Sequence, residues 1–130
     1  MADYPSELKY TKDHEWARVE PDGRVRIGVT AYAVEQLGDV TLIDLPSVGA
    51  TVKAGERFGD IESVKTVSEL FAPINGTVAE VNGALDDQPE LVNDSPYADG
   101  WMLVIEPSSK AEVDGLMDAA AYEAFLGTLD

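Results

Sequence analysis

Trp16-Ala17-Arg18-Val19-Glu20-Pro21-Asp22-Gly23-Arg24-Val25-Arg26-Ile27-Gly28-Val29 alternates apolar and polar residues on either side of a turn. Trp16, Arg18 and Glu20 fall on one face of an extended chain, Ala17 and Val19 on the other. Arg24–Val29 alternates again, with Val25, Ile27 and Val29 on one face. Between the runs lies Asp22-Gly23, a dipeptide suited to the backbone of a tight hairpin turn. Run, Asp-Gly, run predicts two antiparallel strands.

Outward from this hairpin the rhythm changes once and then returns. Thr30 can cap a helix, Ala31, Ala33, Glu35 and Gln36 tolerate one, and Gly38 sits where a glycine ends one, so a short helix is expected near 30–37. Strand-like runs follow at Val40–Leu45, closed by Pro46, and at Thr51–Lys53, bracketed by Gly49 and Gly55. More come at Phe58–Val64, Val67–Phe71, Gly76–Val81 and Trp101–Ile105, the last stopped by Pro107. Many short strands at close spacing imply a mainly β sandwich or barrel. Pro89–Gly100 is the longest structure-poor stretch and is expected as a surface loop. Ser109-Lys110-Ala111-Glu112 fits a capping box, with Val113, Leu116 and Met117 after it at helical spacing. Asp118 could cap a further turn set in which Tyr122, Phe125 and Leu126 form an apolar stripe. Such a stripe is ordinarily buried against a sheet.

The 130 residues suit one domain, 1–130, with a core at about 8–107 and a C-terminal helical segment at about 109–126. An apolar content of 45% supports a folded chain. With no cysteine there is no disulfide, thiolate nucleophile or Cys-ligated metal. Twenty-five acids against nine bases give a net charge of −16, which disfavours nucleic acid and anionic membranes and suits proteins with basic rims. Solubility alone accounts for the acidity equally well. The start carries no signal-like or Arg-rich run, and no stretch has the ~18 apolar residues of a membrane span, so a cytoplasmic monomer is expected.

Catalytic chemistry is hard to find. There is no nucleophile elbow, dinucleotide glycine pattern or phosphate loop. His14 is the only histidine, which removes His-cluster metal sites, and beside a strand it reads as a structural hydrogen-bonder. Asp86-Asp87 and Asn93-Asp94 lack calcium-loop spacing. Asn75-Gly76-Thr77 and Asn93-Asp94-Ser95 match the glycosylation sequon, without consequence in a cytoplasmic protein. A binding or carrier role is left.

Gly59-Asp60-Ile61-Glu62-Ser63-Val64-Lys65-Thr66-Val67-Ser68-Glu69-Leu70 holds Lys65, one of only five lysines, between two strand-like runs. If the runs pair, Lys65 lies at a hairpin tip, exposed to a modifying enzyme. Neither Val64-Lys65 nor Lys65-Thr66 is a good tight-turn pair. From the residues alone, a solvated lysine on one continuous strand is the simpler reading.

Glu62-Ser63-Val64-Lys65, followed by Ser68-Glu69 and Ala72-Pro73, resembles the lipoylation site of the glycine cleavage H-protein family. Gly49, 16 residues before Lys65, and Gly76, 11 after it, match the glycine spacing of lipoyl carrier domains, where they would serve as structural turns. The resemblance spans about 8–126: Lys9-Tyr10, His14-Glu15-Trp16, Ile27-Gly28-Val29-Thr30, Gln36-Leu37-Gly38-Asp39, Leu45-Pro46, Asn75-Gly76, Val81-Asn82, Leu91-Val92-Asn93, Pro96-Tyr97, Gly100-Trp101-Met102 and Tyr122-Glu123. Biotin carriers usually flank their lysine with methionines, and the 2-oxoacid dehydrogenase lipoyl domains usually carry Asp-Lys-Ala; this chain has neither.

The resemblance implies a lipoyl/biotinyl-carrier-like sandwich-barrel hybrid of two antiparallel sheets. It implies a non-catalytic shuttle with lipoate joined to Lys65 by an amide, and Glu62, Ser63, Val64 and Glu69 as recognition residues around the site. The arm would carry an aminomethyl intermediate from glycine decarboxylase (the P protein) to the tetrahydrofolate-dependent aminomethyltransferase (the T protein). It would then take the dithiol to dihydrolipoamide dehydrogenase (the L protein). Lipoate-attaching enzymes are implied as further partners. Glu15 and Glu69 match the family's acidic cleft positions for the loaded arm, and Gln36 stands where related sequences carry histidine. The alternatives are a relay protein that donates its lipoyl group to other proteins, an interaction domain with Lys65 unmodified, and an enzyme in its own right, for which the sequence offers the least support.

Overall fold

The computed structural model describes residues 4–109 and 111–129. In chain order it has β1 (Lys9–Tyr10), β2 (Glu15–Val19), β3 (Val25–Val29), α1 (Ala31–Leu37), β4 (Val40–Asp44), β5 (Thr51–Val52), β6 (Arg57–Ser63), β7 (Val67–Phe71) and β8 (Gly76–Val81). After these come α2 (Ala84–Asp87), α3 (Leu91–Asp94), β9 (Leu103–Pro107), α4 (Ala111–Asp114) and α5 (Ala119–Gly127). Two antiparallel sheets form. One has six strands in the order β1-β2-β3-β9-β8-β5, the other three in the order β4-β6-β7. The mainly β two-sheet expectation therefore holds, with the sheets open and not closed into a barrel.

Register explains the layers. Ala17 pairs with Ile27 and Val19 with Val25, so these residues share a face. Ala17, Val25, Ile27 and Val29 join Ile43, Ile61 and Leu70 of the smaller sheet, with Val78 and Ile105, in one buried core. Trp16 pairs with Gly28 on the opposite face, yet it too is fully buried. The C-terminal helix covers it: Tyr10, Trp16 and Tyr122 make a second cluster, with Phe125 and Leu126 packed alongside. Tyr10 and Tyr122 stack with ring centroids 4.8 Å apart. Asp118 caps α5, its Oδ1 accepting from the Ala121 N–H at 2.8 Å. α1 begins and ends as its sequence implies, with Thr30 Oγ1 accepting from Ala33 N–H and the Gly38 N–H bonded to Val34 O.

Four local expectations change. Pro89–Gly100 is not simply wrapped on the surface, because it contains α3 and buries Val92 completely. The last strand lies two residues further on than expected and runs through Pro107, which stands opposite the first residue of β8. A proline at the end of a ladder leaves few bonds to lose. Glu112 does not turn back as a capping box requires; its Oε2 accepts from both nitrogens of Asn75, at 3.2 and 2.9 Å. Lys110 of that expected box lies outside the described residues. Gly76 is the first residue of β8 and not a turn.

Gly49 does sit in a turn, with φ at +94°. The demand on Gly76 is space: a Cβ there would run into the Glu106 carbonyl and Ile105 Cγ2 of β9. Gly76→Ala is expected to destabilise the fold by about 1–3 kcal/mol, the usual range for overpacking. Gly83→Ala, at a position with open space around it, should stay within about 0.5 kcal/mol. Urea unfolding of both variants checks this, and equal midpoints would contradict it.

Candidate functional site

β6 and β7 pair from Glu62↔Val67 back to Arg57↔Phe71, which leaves Lys65 at the tip of their hairpin. The tip solves the problem its sequence poses. His14 is the only non-glycine with a left-handed φ among the described residues, so Val64 and Lys65 do not adopt the mirror-image turn of ordinary two-residue hairpins. Ser63 closes the turn instead. Its N–H donates to the Thr66 carbonyl at 2.8 Å. Its Oγ accepts from the Lys65 and Thr66 N–H groups, both at 3.2 Å, and stands 3.3 Å from the Thr66 carbonyl, to which it donates. This is the serine side chain standing in for a backbone turn. The Val64 N–H is held from outside, by the Asp39 carbonyl at 3.0 Å.

Lys65 is exposed. Its stem lies over Gly38, just past the end of α1, where an added Cβ would stand 3.3 Å from Lys65 Cε and 3.8 Å from Nζ. Gly38 also has φ at +76°, so the conformation calls for glycine there, while the lysine stem is flexible enough to give way. Among the described residues every ion pair uses an arginine, and Lys65 has no carboxylate partner.

A cleft of about 200 Å³ opens beside the tip, between α1 and the β6–β7 hairpin. Its floor is apolar, from Val29, Leu37, Ile61 and Leu70; its rim is polar, from Asp13, His14, Gln36, Thr66, Ser68 and Glu69. A long apolar arm with a polar end matches such a lining. His14 is fixed at the rim by Tyr122, 2.8 Å from its Nδ1, and Tyr122 in turn meets Thr30 Oγ1 at 2.8 Å. Burial holds the His14 imidazole below its ordinary range, with Asp13 opposing.

The two acidic candidates occupy different environments. Glu69 is exposed on the cleft rim, 3.8 Å from Arg57 Nε. Glu15 is buried behind β7 and does not line the cleft; its Oε2 accepts from the Phe71 N–H at 2.8 Å and its Oε1 has no partner. Of the recognition candidates, Ser63 makes the turn, Val64 is 68% exposed, and Glu62 pairs with Val67 and Leu42 across the sheet. Sequence reasoning assigned no role to Asp13 or Asp39, and gave Gly38 only the role of ending α1. A glycine after a predicted helix was the available signal for Gly38; the Asp39–Val64 bond left none.

Burial pushes the Glu15 carboxyl well above its ordinary value near 4.5, partly opposed by the Phe71 N–H and reinforced by Asp13. A raised acid holds its proton more tightly folded than unfolded. Its stability contribution is therefore full below pH 4.5 and is lost as pH rises from there toward the folded value. Glu15→Gln cannot ionise. Urea midpoints taken over a pH series should show the parent losing stability relative to Glu15→Gln above pH 4.5, and parallel curves would contradict the buried carboxyl.

Comparison with known proteins agrees with this geometry. The chain is 58% identical over 122 residues to the glycine cleavage system H protein of Geobacillus kaustophilus, covering 94% of this chain and 95% of that one. It is 56% identical over 119 residues to the protein of the same name from Bacillus subtilis, covering 92% and 93%. The crystal structure of a glycine cleavage system H protein from Mycobacterium marinum superposes with a TM-score of 0.88 at 43% identity, over 95% of this chain and 99% of that one. The family model described as glycine cleavage H-protein matches residues 8–128, and the chain belongs to that family.

Proposed function

We propose that this chain is the lipoyl-bearing shuttle of a glycine cleavage system, with lipoate joined to the Lys65 amine. The observation that carries the reading is an exposed lysine, without a carboxylate partner among the described residues, on a fixed hairpin tip beside an apolar-floored cleft. Acylation removes the ammonium charge, which costs no ion pair here, and leaves a mostly apolar arm. When attached, the lipoyl group supplies the disulfide–dithiol chemistry and carries the one-carbon amine cargo.

The chain's own residues do the rest. Ser63 and Asp39 hold the tip so that Lys65 is presented in one place. Val29, Leu37, Ile61 and Leu70 offer the arm an apolar wall away from water. Glu69, which lines the rim, would pair with a protonated amine at the arm's end. Glu15 differs, because it is buried behind β7 outside the cleft lining, and its raised pKa favours a neutral carboxyl.

Partners in this reading are glycine decarboxylase, the tetrahydrofolate-dependent aminomethyltransferase, dihydrolipoamide dehydrogenase and a lipoate-attaching enzyme, in the cytoplasm. The net charge of −16 suits docking to partners that present basic rims. The chain is a carrier and the chemistry belongs to its partners.

The intact mass of the protein from its native host, with peptide mapping across Asp60–Phe71, tests the attachment. A lipoyl increment on Lys65, absent from Lys65→Arg, is expected. An unmodified Lys65 in lipoate-replete cells overturns the reading.

A further inference from the structure

The segment between α2 and β9 grips both ends of the helix that walls the cleft. At the start of α1 the Tyr97 hydroxyl accepts from the Ala31 N–H at 2.8 Å. Just past its end, Asn93 uses both atoms of its amide: Nδ2 donates to the Gly38 carbonyl at 2.8 Å and Oδ1 accepts from the Val40 N–H at 2.9 Å. These two backbone groups flank Asp39. The bonds divide the 38–40 strip: Asn93 takes Gly38 O and Val40 N–H, while Asp39 O, at a bend between them, accepts from the Val64 N–H of the hairpin.

β4 is an edge strand whose pairing with β6 is irregular between Val40 and Leu42. Edge groups of this kind are left without a ladder partner. Asn93 supplies one, as a neighbouring strand's peptide would. The same strip carries Gly38, against which the Lys65 stem lies. Asn93 is thus two hydrogen bonds from the tip, through Val40 and Gly38 on one side and Asp39 on the other, though 28 positions separate it from Lys65 in sequence.

We infer that Asn93 is a positioning residue for the carrier lysine: it fixes the Gly38–Val40 strip from which Asp39 holds the hairpin tip, and so sets how Lys65 meets the enzyme that acylates it. The second half rests on the lipoyl reading above; the first half does not. Tyr97 does the same for the other end of α1, which keeps the cleft wall in place while the tip is fixed.

The test uses the full chain with Asn93→Ala, and with Asn93→Asp, which keeps the volume but sets an oxygen against the Gly38 carbonyl. Amide hydrogen exchange at Val64 should quicken about tenfold in both, the equilibrium effect of losing one anchored hydrogen bond, while the Ile27 amide in the core is unmoved. With a lipoate–protein ligase, KM for the chain should rise by about the same factor with kcat within about twofold, since the amine is intact and only its presentation is loosened. A merely structural role would move Ile27 together with Val64. Unchanged Val64 exchange overturns the inference, as does an unchanged KM in a variant the ligase still modifies. If the ligase modifies neither parent nor variants, the lipoyl reading fails and Val64 exchange alone judges Asn93.

Discussion

The turn at Ser63–Thr66 is closed without a glycine, and the carrier face depends on how that is done. A hairpin reversed in two residues ordinarily needs left-handed backbone, which Val64 and Lys65 do not take. The Ser63 hydroxyl replaces it by accepting from two backbone N–H groups, and the Asp39 carbonyl takes a third. Each such bond contributes about 1 kcal/mol. Together they fix an exposed tip that packing cannot reach. The rest follows from holding that tip: the Lys65 stem lies on Gly38, and the cleft opens directly beside the hairpin.

Electrostatics divides the basic residues by task. All four arginines are engaged. Arg24 meets Asp22, Glu80 and Glu106; Arg26 meets Glu20 at 2.5 Å and stacks on Trp101; Arg18 reaches Glu20; and Arg57 is gripped by Asp60. Arginine's planar fork suits such fixed contacts, whereas a lysine left unpaired keeps an amine that another enzyme can acylate. Exposed pairs of this kind add little stability each. Their use is to hold strand ends in a chain of net charge −16 without recruiting Lys65.

Much of this was legible in the sequence, and the reasons differ by element. Asp22-Gly23, the alternation on either side of it, Thr30 with Gly38, and Asp118 before an apolar stripe are all local signals, and the local structure follows them. The exception among local readings is instructive. Val64-Lys65 looks like continuous strand because its turn is made by the preceding serine and by a carbonyl 25 positions upstream. Asn75 and Asn93 read as sequons and as parts of the family resemblance, with no contact implied, yet each holds distant backbone: Asn75 takes the Ala54 N–H and Asn93 the Gly38–Val40 strip. Glu15 and Glu69 look alike in sequence, and only the fold shows one buried with an orphaned oxygen and the other on the cleft rim. Long-range polar pairing has no periodicity to betray it.

As a shuttle, the chain would carry glycine-derived cargo on Lys65. The most direct measurement combines the lipoylated chain with glycine decarboxylase alone and follows carbon dioxide released from glycine. The account predicts release stoichiometric with the lipoylated chain and none with Lys65→Arg. A lipoylated chain that supports no release, yet hands its lipoyl group to another protein, would contradict the shuttle and make the chain a lipoyl donor.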